Sequence, residues 1–121
     1  LPLVTNQIEL SVWHHAPMRD GTLDQCLHRR MRPMAWSPLA RGGVNEPSPV
    51  RDALLAVAQE LGASVEATAL AWLMRHPSRP IPVLGTGRIE RLRDQAPAAN
   101  LVMAASQWFR IYEAGLPGGL P

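Results

Sequence analysis

In residues 81–95, IPVLGTGRIERLRDQ, a short apolar run from Ile81 to Leu84 breaks at Gly85-Thr86-Gly87, and a charged helical pattern follows at once. A strand that turns straight into a helix is one half of a parallel βα unit. Two readings of the turn are open. In one, Gly87 only caps the helix and the arginines are solvated. In the other, Gly85 and Gly87 leave bare amides for an anion, and the helix dipole favours negative charge there. Arg88 and Arg91, three residues apart, would then share a face and clamp a phosphate. A lone G-x-G does not choose between them.

Working outward, LVTNQIEL (3–10) reads as a strand rich in β-branched residues. Asp20-Gly21 is a turn signal, and Thr22 with Gln25 fits a capping box opening a helix over 22–31. Leu23, Cys26 and Leu27 form its expected buried stripe. A second strand spans Met34 to Trp36 and stops at Pro38. After the loop RGGVNEPSP, Ser48-Pro49 starts a helix that carries Leu54, Ala58 and Leu61 inward and ends at Gly62. Ser64 caps the next helix, with Ala67, Leu70, Leu73 and Met74 inward, and Pro77 ends it. Helices near 88–96 and 104–114 follow, then a loose tail over 115–121.

The order β-α-β-αα-β-αα implies an α/β fold with parallel strands and right-handed crossovers. The strands are short and apolar on both sides, which suits a sheet covered by helices or closed on itself. No linker divides the chain, so 1–121 reads as one domain.

Composition excludes several classes. With 121 residues, 46% hydrophobic and 18% charged, the chain is globular rather than disordered. No apolar run approaches the roughly 18 residues of a membrane span. No basic and apolar leader opens the sequence, and the single cysteine, Cys26, cannot form an internal disulfide. Both features fit the cytoplasm, with Cys26 a buried structural thiol. All twelve basic residues are arginine, so no lysine can serve as a Schiff base or proton relay. The arginines are scattered, Arg29, Arg30 and Arg32 being the only cluster, and nucleic-acid binding is not expected. Trp13, His14 and His15 fall in an expected loop, where they could line a substrate mouth. They lack spaced carboxylate or cysteine partners, so no metal site is expected.

In parallel βα architectures, ligand groups gather at the carboxyl ends of strands. The first end carries Asn6, Gln7 and Glu9, and the second carries Trp36 and Ser37. Asn6 and Gln7 suit a carboxamide or else satisfy nearby backbone. Trp36 is either a platform for a planar ring or a core aromatic.

Taken in order, VTNQIELS, RPMAWSPLARG, VAQELGASVEATALAWLMRHP and IPVLGTGRIERLRDQ resemble the aldo/keto reductases, in the bacterial oxidoreductase branch with tryptophan in AWSPLA. The resemblance covers residues 3 to 112 and implies the C-terminal part of a TIM-type (β/α)8 barrel, about strands six to eight. It implies NADP as cofactor and hydride transfer with a small carbonyl or alcohol substrate. By the same resemblance, Gln7 holds the nicotinamide carboxamide and Trp36 stacks on its ring. Ser37 and Leu39 lie along the pyrophosphate, with Arg41 nearby. Thr86, Gly87 and Arg88 approach the adenosine phosphate, Arg91 pairs with the 2′-phosphate, and Gln95 sits near the adenine. The departures are equally specific. The family's Asp-Tyr-Lys-His tetrad has no counterpart here: lysine is absent, and the sole tyrosine, Tyr112, falls in the last helix. The chain would therefore supply cofactor binding and no catalytic residue, with the N-terminal half of the barrel as a covalent or docked partner. The alternative is a non-catalytic NADP(H)-binding or truncated module.

Overall fold

Three parallel strands, β1 (Thr5–Glu9), β2 (Arg32–Trp36) and β3 (Ile81–Pro82), pair in the order β1-β2-β3. The structure is a computed structural model that describes residues 3–116, with Arg41 described by its backbone alone. Gln7 lies opposite Met34, Glu9 opposite Trp36, and Met34 opposite Ile81. β3 has only two ladder residues where the apolar run extends from Ile81 to Leu84. Pro80 and Pro82 carry no N–H, so pairing is left to Ile81 and to Val83, whose N–H donates to the Ala35 carbonyl at 2.9 Å.

Helices link the strands and cover one face of the sheet. They are α1 (Thr22–His28), α2 (Pro49–Leu61), α3 (Val65–Met74), α4 (Ile89–Gln95) and α5 (Ala105–Ala114), with 3-10 turns at Ala16–Met18, Ala40–Asn45 and Ala96–Asn100. Ile8, Leu10 and Ala35 of the sheet are buried with Leu23, Leu54, Leu70, Trp72 and Leu73 in one core. The starts of α2 and α3 form as the sequence predicts. Ser48 Oγ accepts from Arg51 N, Ser64 Oγ accepts from Ala67 N, and Gly62 ends α2 at φ 64°.

Three expectations need correction. The α1 cap is not Thr22: Gly21 takes φ 91° at the N-cap, and Asp20 Oδ1 accepts the Thr22 N–H at 2.9 Å. The helix also stops at His28, and Leu27 within it is 43% exposed rather than in the stripe with buried Leu23 and Cys26. In α3, every residue from Ala67 to Leu73 is buried, not one face. The helix is packed on several sides, by α2, by α4 with the 96–100 turn, and by β3. That explains why it is apolar all round.

Residues alternate across a strand, so Gln7, Glu9, Met34, Trp36, Ile81 and Val83 share the face opposite the helices. That face is largely uncovered, with Trp36, Ile81 and Val83 all 37–38% exposed. A closed barrel would bury such a face and leave neither β1 nor β3 as an edge.

At the end of α5, Gly115 N donates to the Tyr112 carbonyl and Leu116 N to that of Glu113, so the first two residues of the expected tail extend the helix. The remainder of that tail, 117–121, lies outside the described residues. Among the described residues no single helix is long and apolar enough to cross a membrane.

Candidate functional site

The loops after β2 and β3 enclose a cleft of about 660 Å³ at the carboxyl rim of the sheet. Ser37, Pro38, Leu39 and Gly42 form its β2 side. Gly85, Thr86, Gly87, Arg88 and Arg91 form its β3 side, with Gln95 at the end of α4. Seven of the ten sequence-predicted residues therefore share one cavity: Ser37, Leu39, Thr86, Gly87, Arg88, Arg91 and Gln95.

The other three lie elsewhere. Trp36 immediately precedes Ser37 but points onto the uncovered sheet face, outside the cleft lining. Gln7 is on that same face, one side-chain layer below Trp36, because its own neighbour across the ladder is Met34. The Arg41 side chain lies outside the described residues; its backbone belongs to the 40–45 turn, beside the cleft residue Gly42.

The β3 side is open at both glycines. A Cβ built on Gly85 or on Gly87 would meet no atom within 4 Å, so the fold itself demands neither glycine. Arg88, not Gly87, is the α4 N-cap, and Thr86 Oγ1 accepts its backbone N–H at 3.1 Å. Since α4 has only seven residues, its dipole is a small contribution, and positive charge in the cleft resides on the two guanidinium groups. Both arginines are exposed, and among the described residues neither forms an ion pair.

Gln95 is the most telling lining residue. It is 4% exposed, and its Nε2 donates to Glu66 Oε2 at 2.9 Å. Its Oε1 is buried with no partner, behind the surface that the residue contributes to the cleft. Sequence reasoning reached Gln95 through resemblance and missed Glu66, which fixes the amide's orientation from 29 residues away. Across the cleft, Ser37 has φ 49° and Ala40 φ 51°, left-handed values rare for residues with side chains. No composition signal in WSPLA announces this strain.

Beyond β1, Ser11 Oγ accepts the N–H groups of Trp13 and His14, folding the chain back over the rim. His14 Nε2 then lies 3.7 Å from Glu9 Oε2, and Trp13 leans on Gly43 of the 40–45 turn. The other chemistry-bearing groups are structural. His15 is 2% exposed, its Nδ1 accepts from Arg19 Nη1, and its ring packs on Trp72 and Tyr112. Burial, then the Arg19 guanidinium, pull its pKa down to about 4. Tyr112 stacks on Trp108. Cys26 is buried, and burial raises its thiol pKa, as a structural role requires. Among the described residues no group of His, Cys, Asp and Glu is placed to hold a metal.

Fold and cleft define a segment of a (β/α)8 barrel, its C-terminal part, with a cavity lined by two arginines at the carboxyl rim. The chain belongs to the aldo/keto reductase family, whose profile matches residues 1–115. It is 46% identical over 123 residues to the oxidoreductase YdhF of Escherichia coli strain K12, covering 98% of this chain and 41% of that protein. It is 40% identical over 112 residues to a 6-dehydroglucose reductase of Agrobacterium fabrum, covering 91% of this chain and 38% of that one. Among solved structures, the thermostable aldo-keto reductase Tm1743, crystallised with the inhibitor epalrestat, superposes with TM-score 0.86 at 26% identity, covering 94% of this chain and 40% of the other. A Klebsiella pneumoniae aldo/keto reductase in complex with NADP and acetate gives 0.81 at 23% identity, with the same coverage. This chain thus spans about two fifths of the length of the relatives it matches.

Proposed function

We propose that this chain is the cofactor-binding portion of an NADPH-dependent aldo/keto reductase. The bound nicotinamide would supply or accept the hydride exchanged with a carbonyl or alcohol carbon. Arg88 and Arg91 hold the 2′-phosphate side of the dinucleotide, where paired guanidinium groups give charge-assisted hydrogen bonds. Gly85, Thr86 and Gly87 leave backbone open for the adenosine phosphate. Ser37 and Leu39, with Arg41, line the pyrophosphate, and Gln95 sits near the adenine. Trp36 supplies a flat surface for the nicotinamide ring, and Gln7 its carboxamide partner. This span offers orientation and electrostatics, while the tetrad that moves the proton belongs to the remaining barrel, as a covalent or docked partner. Family membership supports an enzyme acting on a small carbonyl or alcohol, and we place it in the cytoplasm.

The observation that carries this reading is the convergence of Arg88, Arg91, Ser37 and Gln95 on one cleft. Titrating NADPH into the chain while following tryptophan emission tests it. Saturable quenching that Trp36→Phe removes is expected; no saturable change in the wild-type chain would contradict it. A second reading, a non-catalytic NADP(H)-binding module, is favoured by one feature. The sole tyrosine sits in a packed aromatic cluster, not in the cleft. Binding without turnover of any carbonyl, even when the rest of a barrel is supplied, would select it.

A further inference from the structure

Glu9 is an unexpected side chain for its place. It sits on the uncovered, largely apolar sheet face, directly across the ladder from Trp36. Neighbouring strands run about 4.8 Å apart, and ladder partners project to the same side. The Glu9 carboxylate and the Trp36 indole are therefore adjacent on one surface. The turn built on Ser11 brings His14 back to within 3.7 Å of the carboxylate. Among the described residues no guanidinium pairs with Glu9, so His14 is the group that steers it.

We propose that Glu9, oriented by His14, sets which redox form of a nicotinamide dinucleotide this rim holds more tightly, favouring the oxidised form. The inference rests on the cofactor reading above and adds selectivity to it. The physical basis is simple. The oxidised nicotinamide ring carries a positive charge and the reduced ring carries none. A carboxylate beside the ring platform therefore stabilises one form and barely affects the other. Every other contact, including the phosphates, the ribose groups and the adenine, is common to both. The ratio of the two affinities isolates the charge at the ring. At a separation of one to two strand spacings on this exposed face, where water screens most of the interaction, that attraction amounts to roughly a threefold to tenfold preference. Glu9 acts here as a positioning and selectivity residue. It donates no proton and forms no bond.

The test is calorimetric titration of the 121-residue chain with NADP+ and, separately, NADPH at fixed ionic strength. Wild type is compared with Glu9→Gln, Glu9→Asp and His14→Gln. Glu9→Gln should weaken NADP+ about threefold to tenfold while leaving NADPH within about twofold. Glu9→Asp, which keeps the charge, should retain most of the preference. His14→Gln should lower the preference for NADP+, since it frees the carboxylate from the orientation the imidazole imposes; an unchanged preference would overturn the part assigned to His14. Equal weakening of both forms by Glu9→Gln would mean that Glu9 only shapes the rim, and would overturn the inference. An unchanged ratio would overturn it too, leaving the cofactor reading standing. A wild-type chain that binds neither form would overturn both.

Discussion

Trp72 and Trp108 stack with their ring centroids 4.9 Å apart, and each indole N–H donates to the other residue's backbone carbonyl at 2.9 Å. This reciprocal pair joins α3 to α5 and satisfies both buried donors at once. Trp72→Phe would leave the Trp108 carbonyl without its partner and open space beside its ring. A loss of about 2–4 kcal/mol of stability is expected in chemical denaturation. A loss below about 1 kcal/mol would mean that the pair is incidental to the packing.

The neighbouring His15 gives stability a pH dependence. Its imidazole titrates at about 4 when folded, against 6.5 for the free side chain. Between those values the unfolded chain binds the additional proton. The contribution is fully present above about pH 6.5 and is lost as pH falls towards 4. The loss should be on the order of 2–3 kcal/mol. His15→Phe should flatten the midpoint-versus-pH curve across that window; a wild-type curve already flat there would refute the assignment.

Gly115 closes the same corner. A Cβ at this position would lie 2.6 Å from His15 Nε2 and 2.9 Å from the Val12 carbonyl oxygen. Because one of those atoms is backbone, relief requires α5 or the 11–14 turn to shift. Gly115→Ala should lower stability by about 1–3 kcal/mol, read as a fall in thermal midpoint. An unchanged midpoint would show that the two segments are not in contact.

The uncovered sheet face predicts association. Trp36, Ile81 and Val83 stand together on it, and both β1 and β3 are edges. Sedimentation velocity on the 121-residue chain should show self-association at micromolar concentration. Addition of a barrel segment carrying the remaining strands should reverse it. A monodisperse, cooperatively unfolding monomer would contradict this.

Much of this was legible in the residues, and the gaps have identifiable causes. Ser48-Pro49, Gly62 and Ser64 announced helix boundaries because capping is local chemistry. The expected Thr22 box failed because Asp20, two residues upstream, reaches the same N–H first. Leu27 was misplaced because, although inside α1, it faces solvent while Leu23 and Cys26 face the core. In the site, Gly85 through Arg91 could be read from one short stretch. The Gln95–Glu66 contact, the Ser37 backbone and the Glu9–Trp36 neighbourhood could not. Each depends on how separate segments meet, which periodicity does not encode.

The central claim is that the two guanidinium groups after β3 grip the phosphate that distinguishes NADPH from NADH. Calorimetric affinities for those two ligands, in the wild-type chain and in Arg88→Gln/Arg91→Gln, test it most directly. The account predicts that wild type binds NADPH about 10- to 100-fold more tightly than NADH, and that the double variant brings the two within about threefold. Equal affinities in the wild-type chain, or a preference that survives loss of both arginines, would contradict it.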